Sequence, residues 1–340
     1  MSYLIRPAKL SDHADVMELA RHAGSGFTSL QPNEAAIEKK LKTVEASFHS
    51  PAGTDPAGLA YLLALEDDQG QVIGVAGVKP AVGIERPYYN FRVAKAGYVS
   101  FAADRRFDMP LLWLVSEHNG HTEVGSLLLH PERRGGGVGR MLAQARYMLV
   151  ATGRSRFADT ILAELRGWFD EAGRSPFWEG VTQHFFKMSF DEADGLSATT
   201  DGQFLAELLP RHPIYADLLP TAARDAIGKC HDDGEAARRL LEWEGFRYQN
   251  LVDVFDAGPL VSAETDQVRT LRESRVKPVQ IAEVAPGVSG YVANEDFQNF
   301  RMTRTPVQET DDHVSISPTA AERLQVQAGD AVRLWTPPAS

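Results

Sequence analysis

Near the amino terminus, the order of apolar and polar residues predicts a strand followed by a helix. Residues 4–8 are mostly apolar, and Ser11 and Asp12 supply polar side chains that favour a helix start. The helix has one apolar face, because its apolar residues recur three and four positions apart. Gly24 is its expected end.

Further along, apolar runs at 61–65 and 72–78 flank the polar sequence EDDQG, which predicts two antiparallel strands joined by a turn. Runs at 124–129 and 160–165 predict two more strands. Between these two, apolar residues at helical spacing predict a helix that packs one side on the sheet: Met141, Leu142, Ala145, Met148 and Leu149.

The second half of the chain contains two helix-to-strand patterns. In the first, a helix that starts near Pro176 leads to a strand at 187–190. In the second, a helix with an apolar face around Leu240 ends at Gly245 and opens a strand. Two such elements suggest a duplicated or extended core. From about residue 263 onward, short apolar runs predict short strands with one brief helix.

The densest chemical signal is the sequence RRGGGVGR at residues 133–140, between a predicted strand and the helix that follows it. Glycines lack a Cβ, so the backbone can turn tightly and a ligand can approach its N–H groups. The start of a helix also carries partial positive charge, which favours a phosphate group. The segment therefore predicts a site for the diphosphate of a nucleotide-like molecule.

Other interpretations of this loop fit the residues less well. A dinucleotide fingerprint needs Gly-x-Gly-x-x-Gly, and Arg140 stands at the third glycine position after Gly135 and Gly137. A kinase-type P-loop needs Lys and Ser or Thr where this chain has Arg140 and Met141. A plain connecting turn stays open as an alternative, although four glycines cost more conformational entropy than such a turn requires.

In residue type and in its strand, loop and helix setting, the segment resembles the acyl-CoA diphosphate loop of the GNAT acyltransferases. The amino-terminal strand and helix and the hairpin after them occur in the same order as in that superfamily. The resemblance implies an α+β fold. The GNAT-like core of this fold would have a mixed, mainly antiparallel sheet flanked by helices, and a small β-rich domain would follow it at the C-terminus.

Composition narrows the class of protein further. A chain of 340 residues with 43% hydrophobic content can bury a large core in two or three units. Its net charge of −11 at pH 7, with no basic stripe, argues against nucleic-acid binding. The sequence contains no apolar run of membrane-spanning length and no secretory pattern, and its single cysteine fits a reducing compartment. We therefore expect a cytoplasmic protein.

Six more segments appear in a fixed order along the chain: TSLQPNE at 28–34, PYYNFR at 87–92, SPFW at 175–178, FLAELLP at 204–210, IGKCH at 227–231 and FDAGP at 255–259. They are similar to motifs of the arginine N-succinyltransferases. The resemblance implies succinyl transfer from succinyl-CoA to the α-amino group of L-arginine, giving N2-succinylarginine and CoA in arginine catabolism. An ornithine-directed succinyltransferase and a non-catalytic CoA-binding subunit stay open as alternatives.

The resemblance also implies roles for single residues. The proton donor of the family, a histidine in an Ile-Gly-x-x-His motif, falls on His231. Its succinyl-CoA contact in the strand before the loop falls on Leu127, whose backbone amide would polarise the thioester carbonyl. The CoA contacts expected in the loop are Arg134, Gly135, Gly137, Val138, Gly139 and Arg140. No permanently bound cofactor and no metal are expected.

For the organisation of the chain, we expect a GNAT-like acyl-CoA-binding domain at 1–195, a second GNAT-like lobe with the histidine motif at 196–262, and the β-rich domain at 263–340. The expected partners are L-arginine and succinyl-CoA, without nucleic acid or membrane. Assembly as a homo-oligomer or with a homologous subunit is implied by the family resemblance.

Several polar residues remain for substrate contacts. A covalent route through Cys230 is disfavoured, because adjacent residues of an extended chain point to opposite faces and His231 would be poorly placed to activate the thiol. Arg92 is a candidate partner for the succinyl carboxylate. The candidates for the guanidinium are Glu34, Asp253 and Asp256. Tyr88 departs from the family pattern, which usually has tryptophan there.

Overall fold

The structure is a computed structural model, which describes residues 3–22, 30, 32–200 and 203–338. The predicted helix end at Gly24 and the motif residues Thr28, Ser29 and Gln31 lie outside this part of the chain. Within it, sixteen strands join into one extended sheet. No helix among the described residues combines the length and apolar character that crossing a membrane requires.

The first half of the chain contains the predicted strands and helices together with one helix, α2, and two strands that the pattern did not reveal. Its elements are β1 (Leu4–Pro7), α1 (His13–Arg21), α2 (Glu34–His49), β2 (Tyr61–Glu66), β3 (Val72–Lys79), β4 (Asn90–Ser100), β5 (Arg105–Val115), β6 (Thr122–Leu129), α3 (Val138–Thr152) and β7 (Thr160–Glu164). Helices α1, α2 and α3 pack on the sheet around one large hydrophobic core. The unpredicted strands, β4 and β5, form a long antiparallel hairpin.

The middle of the chain begins with a π-helical turn at Trp178–Thr182. The elements after it are α4 (Gln183–Phe186), α5 (Phe190–Thr200), α6 (Gln203–Leu208), β8 (Ile214–Tyr215), α7 (Thr221–Ala226), α8 (Glu235–Glu244), β9 (Arg247–Val252) and β10 (Pro259–Glu264). The predicted helix that ends at Gly245 is confirmed, since Gly245 adopts φ +108° after α8.

The strand predicted at 187–190 is wrong. Lys187 adopts a left-handed conformation with φ +56°, and Phe190 already begins α5. The turn brings the rings of Phe186 and Phe190 onto Trp178, with centroid distances of 5.6 and 5.5 Å. An extended segment would separate these rings, so burial of the aromatic cluster favours the turn. Only the second of the two predicted helix-to-strand elements is therefore present.

The C-terminal part is rich in short strands, as predicted. Its elements are α9 (Arg269–Glu273), β11 (Arg275–Ile281), β12 (Ser289–Asn294), β13 (Met302–Pro306), β14 (Gln308–Glu309), β15 (Val314–Ile316), α10 (Pro318–Leu324) and β16 (Ala331–Trp335). The brief helix α10 starts with Pro318 after Ser317, whose side chain accepts a hydrogen bond from Ala320 N–H at 3.2 Å. A separate small hydrophobic cluster fills this region.

In the sheet, the strand order is β14-β15-β11-β16-β12-β13-β1-β2-β3-β6-β7-β10-β9-β4-β5-β8. Most neighbours are antiparallel, while β6–β7 and β11–β15 are parallel. The C-terminal strands continue the main sheet through the pairing of β13 with β1. The predicted α+β class, with a mixed, mainly antiparallel sheet flanked by helices and a β-rich C-terminal part, is confirmed.

Candidate active site

Strands β6 and β7 separate part way along their length. They pair in parallel only at Thr122–Ile161 and Glu123–Leu162. On its other side β6 stays paired with β3, apart from an irregularity where Ser126 adopts φ +48°. From Gly125 onward, the edge of β6 that faces β7 therefore has no described strand hydrogen-bonded to it. This opening exposes backbone amides in the middle of a sheet, where a ligand can bind them.

Leu127 lies in this irregular part of β6, one residue after Ser126. Its side chain is partly buried and packs against the main core. Lys40 on α2 reaches the same place, since its ammonium nitrogen lies 3.4 Å from Ser126 Oγ. Burial and the nearby charge of Lys79 lower the pKa of Lys40 to about 8. The predicted thioester contact thus lies at the opening between the strands.

The glycine loop that follows β6 has the backbone form that was expected of it. Gly135, Gly136 and Gly137 all have positive φ, at +110°, +58° and +81°. Gly137 is the N-cap of α3, and Val138 begins that helix as a buried residue. Among the described residues, and apart from its two chain neighbours, no atom lies within 4 Å of a Cβ built on Gly135 or on Gly136. Space is therefore open beside a helix start, as a diphosphate would require.

One arginine of the loop forms an ion pair within the protein, and the other two are exposed to solvent. Arg133 forms an ion pair with the buried Asp67 at 3.3 Å, which ties the loop to the β2–β3 turn. Arg134 and Arg140 are exposed on either side of the glycines. Arg140 lies over the Trp243 ring, 5.6 Å from its centroid, and Gly139 lies in the first turn of α3.

His231 is positioned by the chain segment directly after β7. Its backbone N–H donates to the Arg166 carbonyl at 2.9 Å, and Cys230 bridges to Gly167. Carboxyl ends of parallel strands lie at the same edge of a sheet, so His231 is at the edge where β6 continues into the glycine loop. The two predicted parts of the site, far apart in sequence, are brought to one side of the fold.

The hydrogen bonds of the His231 ring define its neutral form. Its Nδ1 accepts the Asp233 N–H at 3.1 Å, so the proton of the neutral ring is on Nε2. Burial and the positive charge of Arg166 lower the pKa of His231, and Asp233 and Asp232 act in the opposite direction. An Asp233 carboxylate oxygen lies 3.7 Å from Nδ1 and would offset the charge of a protonated ring. The ring can therefore present an N–H donor at neutral pH.

Cys230, the neighbour of His231, points into the main hydrophobic core and is 3% exposed. Burial raises the pKa of its thiol to about 11. Such a thiol is almost fully protonated at neutral pH and is a poor nucleophile. This geometry supports direct transfer over a covalent intermediate on Cys230.

Sequence reasoning missed a group of acidic and polar residues around the same opening. Tyr88 donates a hydrogen bond from its hydroxyl to Glu164, the last residue of β7. Solvent reaches Glu164, yet the protein surrounds it closely enough that desolvation, with the charges of Glu123 and Asp256, raises its pKa to about 7. Glu123 itself is paired with Lys79 at 2.8 Å. A carboxylate with this pKa can exchange a proton near neutrality.

Two of the predicted guanidinium partners lie beside this group. Burial and Glu164 raise the pKa of Asp253 to about 7, and burial and Asp253 raise that of Asp256 to about 8. Both carboxyl groups also hold the backbone around them. Asp256 accepts the N–H groups of Gly167 and Gly258, both at 2.8 Å, and Asp253 Oδ1 accepts those of Phe255 and Asp256 at 2.7 and 3.0 Å. Carboxyl groups with pKa values of about 7 to 8 are thus concentrated beside the opening.

The other proposed contacts lie elsewhere. Arg92 forms a two-pronged ion pair with Glu117 and donates to the Gln249 carbonyl, so its guanidinium already has partners. Glu34 is exposed in the first turn of α2. The described residues also contain one group of three possible metal ligands, with ligand atoms within 4.8 Å of one another: Glu18, His22 and His130. The group is mostly exposed.

Comparisons with known proteins place this geometry in a family. The family model described as arginine N-succinyltransferase beta subunit matches residues 3–270, and the model of its C-terminal domain matches residues 272–336. Arginine N-succinyltransferase of Yersinia pestis (strain Pestoides F) is 40% identical over 343 residues, covering 97% of this chain and 96% of that protein. Arginine N-succinyltransferase subunit beta of Pseudomonas aeruginosa is 38% identical over 331 residues, with 97% of each chain covered.

A solved structure extends the similarity to three dimensions. The arginine/ornithine succinyltransferase subunit AI from Pseudomonas aeruginosa superposes with a TM-score of 0.90 at 30% sequence identity, covering 98% of each chain. The similarity therefore includes the C-terminal strands as well as the acyltransferase core.

Proposed function

This chain belongs to the arginine N-succinyltransferase family and is an acyltransferase, and from that premise we propose that it transfers the succinyl group of succinyl-CoA to the α-amino group of L-arginine. One observation supports this most strongly. The opening between β6 and β7, the open glycine loop and His231 all lie at one edge of the sheet.

In the proposed complex, the CoA diphosphate binds backbone N–H groups within residues 135–140 at the start of α3, other than that of Val138, which donates to the Gly135 carbonyl at 3.1 Å. Arg134 and Arg140 add charge on its two sides. The thioester then lies along β6, where the Leu127 N–H stabilises the carbonyl oxygen as negative charge develops on it. Succinyl-CoA is a co-substrate in this scheme and not a resident cofactor.

The reaction requires three proton movements. The α-ammonium of arginine loses a first proton to solvent, and its nitrogen lone pair attacks the thioester carbonyl carbon. The nitrogen of the tetrahedral adduct loses a second proton to solvent as the adduct collapses, the C–S bond breaks, and an amide bond remains on arginine. We propose that His231 in its protonated form donates its Nε2 proton to the departing sulfur and returns to the neutral ring, with the Asp233 carboxylate balancing the positive charge of the ring before the transfer. CoA leaves as the thiol.

Substrate range and assembly are part of the same proposal. The solved relative is named as an arginine/ornithine enzyme subunit, so ornithine is the second candidate acceptor. Pairing with a second copy or with a homologous subunit is proposed on the same basis. A cytoplasmic setting is proposed because the single cysteine fits a reducing compartment. The division at residues 195 and 262 stays a prediction, while the family models meet between residues 270 and 272.

A thiol-release assay tests the proposal directly. Succinyl-CoA and acetyl-CoA are each combined with arginine, ornithine and lysine, and mass spectrometry identifies the modified nitrogen. We expect fast release only with succinyl-CoA and arginine or ornithine, with the succinyl group on the α-nitrogen. The proposed reaction would be contradicted if the protein bound CoA but released no thiol in response to an acceptor, both when assayed alone and when assayed with a homologous subunit added.

A further inference from the structure

The acidic residues at the β6–β7 opening surround one hydroxyl group. The Tyr88 hydroxyl donates to Glu164, and burial together with the charges of Glu164, Glu123 and Asp253 raises its pKa. Lys79 neutralises Glu123, whereas Glu164 and Asp253 repel each other when ionised. The wall formed by Tyr88, Glu164 and Asp253, here called the acidic wall, therefore holds two carboxyl groups whose ionised forms a bound cation would favour.

A buried amide that has no hydrogen-bond partner among the described residues faces the same wall. Asn90 is 1% exposed, and neither its Nδ2 nor its Oδ1 has a hydrogen-bond partner among the described residues. Strands β4 and β9 pair at Phe91–Val252, so one residue further along Asn90 lies opposite Asp253. Phe91 and Val252 point into a hydrophobic cluster, and Asn90 and Asp253 therefore share the other face.

An unsatisfied buried amide costs free energy, which a ligand that bonds to it can recover. Its Oδ1 accepts from N–H donors. Asp253 beside it, whose own Oδ1 accepts the N–H groups of Phe255 and Asp256, attracts a positive charge when it is ionised. A planar guanidinium has five N–H donors and one positive charge, so it matches this pair of groups.

The register of the sheet also gives a length. Glu164 on β7 pairs with Leu260 on β10, and Leu260 pairs with Leu251 on β9. Asp253 follows Leu251 by two residues. Two strand spacings and two residues separate the Cα atoms of Glu164 and Asp253 by about 12 Å on a flat sheet. The α-nitrogen and guanidinium carbon of an extended arginine are about 7 Å apart. Carboxylate side chains that lean toward each other can thus reach both ends of one arginine.

We propose that the acidic wall and Asn90 form the acceptor subsite, in which Glu164 receives the α-ammonium beside the thioester and Asp253 with Asn90 binds the guanidinium. This inference rests on the proposed function and adds the residues that select a dicationic amino acid. Tyr88 is a positioning residue in this arrangement, because its hydroxyl orients the Glu164 carboxylate.

The raised pKa values fit such a subsite. Asp253 has a pKa of about 7, so at neutral pH it is partly protonated in the ligand-free protein. A bound guanidinium favours the ionised form, and binding is therefore expected to release protons at pH 7.

The test compares arginine with citrulline, which has the same shape but a neutral end group. Asp253→Asn is expected to raise KM for arginine by about ten-fold or more, with little change in KM for citrulline, because it removes one charge-assisted contact. Glu164→Gln is expected to lower kcat more than it changes KM. Glu264→Gln is the matched control, an exposed glutamate at the opposite end of β10 from the subsite, and it should change neither.

A second variant separates binding from folding. Asn90→Leu removes an amide that has no described partner, so its melting temperature should equal or exceed that of the parent, while KM for arginine rises. The proposed subsite would be overturned if both Asp253→Asn and Asn90→Leu kept the parent KM for arginine and the parent preference for arginine over citrulline. This holds even if the parent protein is an active succinyltransferase.

Calorimetry with arginine in two buffers of different ionisation enthalpy keeps the two proposals distinguishable. A parent protein that acylates neither arginine nor ornithine would overturn the proposed function. The subsite is then judged by binding alone. A fall in both arginine affinity and proton release in Asp253→Asn would support it. Equal affinity of the parent protein for arginine and citrulline would overturn it.

Discussion

The glycine loop offers a sharp test, because substitution there separates strain from ligand contact. Gly137 adopts φ +81°, and the nearest protein atom to a Cβ built on it is Arg304 Nη1 at 3.9 Å. Gly137→Ala therefore causes no clash. An L-residue in this conformation costs about 1–2 kcal/mol. With about 2.1 cal/mol/K of unfolding entropy per residue, a chain of 340 residues should lose about 1.5–3 °C in melting temperature.

Gly53 supplies a control with the same backbone strain. It has φ +83°, and in the described part of the chain no atom beyond its two neighbours lies within 4 Å of an added Cβ. It follows Ser50 and Pro51, which bind Arg156 just beyond the C-terminal end of α3, so it is remote from the glycine loop. Gly53→Ala should lower the melting temperature by a similar amount, since the conformational cost is the same.

The two variants should differ only in their response to the acyl donor. The methyl group of Gly137→Ala projects beside the N–H groups that bind the diphosphate, so KM for succinyl-CoA should rise about ten-fold, equal to about 1.4 kcal/mol. KM for arginine should stay at the parent value. Gly53→Ala should leave both KM values unchanged. Equal KM for succinyl-CoA in parent, Gly53→Ala and Gly137→Ala would refute the diphosphate site.

Three further predictions concern other parts of the chain. His231→Ala should lower kcat by about a hundred-fold or more while CoA affinity measured by calorimetry stays constant, and a parallel loss of affinity would reject the proton-donor role. Cys230→Ser should keep most turnover, and the parent thiol should react slowly with a thiol reagent at pH 8, because a pKa of about 11 leaves about one thiolate in a thousand. Arg275 lowers the pKa of Glu309 to about 2, so the stabilisation from Glu309 is present above about pH 4.5 and lost as pH falls through 2. Glu309→Gln should therefore reduce stability by about 1 kcal/mol at pH 7 and not at pH 2, and equal losses at both pH values in thermal unfolding would contradict this.

Local patterns were enough to predict the elements that build the CoA site. The hairpin of β2 and β3, the strand β6 and the helix α3 follow from apolar periodicity, and glycine content gave the conformation of the loop. Each of these signals spans a few residues and depends on backbone rules that act locally. The family resemblance gave His231 its role, and only the structure gave its placement beside the end of β7.

Elements whose faces are not divided into apolar and polar sides were missed. The hairpin of β4 and β5 becomes largely exposed toward its tip, so charged and apolar residues mix along both strands. The strand predicted at 187–190 failed for a different reason, since its phenylalanines bury themselves in a cluster with Trp178 that only the tertiary fold assembles.

Of the acceptor subsite, sequence reasoning identified only Asp253, as one of three candidate partners for the guanidinium. Asn90 and Glu164 lie on two strands and Asp253 directly follows a third, and no spacing connects them along the chain. The available signal was indirect: Tyr88 and Asn90 occur in a segment that resembles a family motif, and Asp253 lies just before another. Their roles follow from register, burial and the missing partners of Asn90.

The most direct test of the account is a crystal structure of the protein with CoA and arginine bound. The account predicts diphosphate oxygens within hydrogen-bond distance of N–H groups in residues 135–140, the CoA sulfur beside Leu127, and His231 Nε2 facing that sulfur. A diphosphate bound away from the start of α3, or a His231 ring remote from the sulfur in the ternary complex, would contradict it.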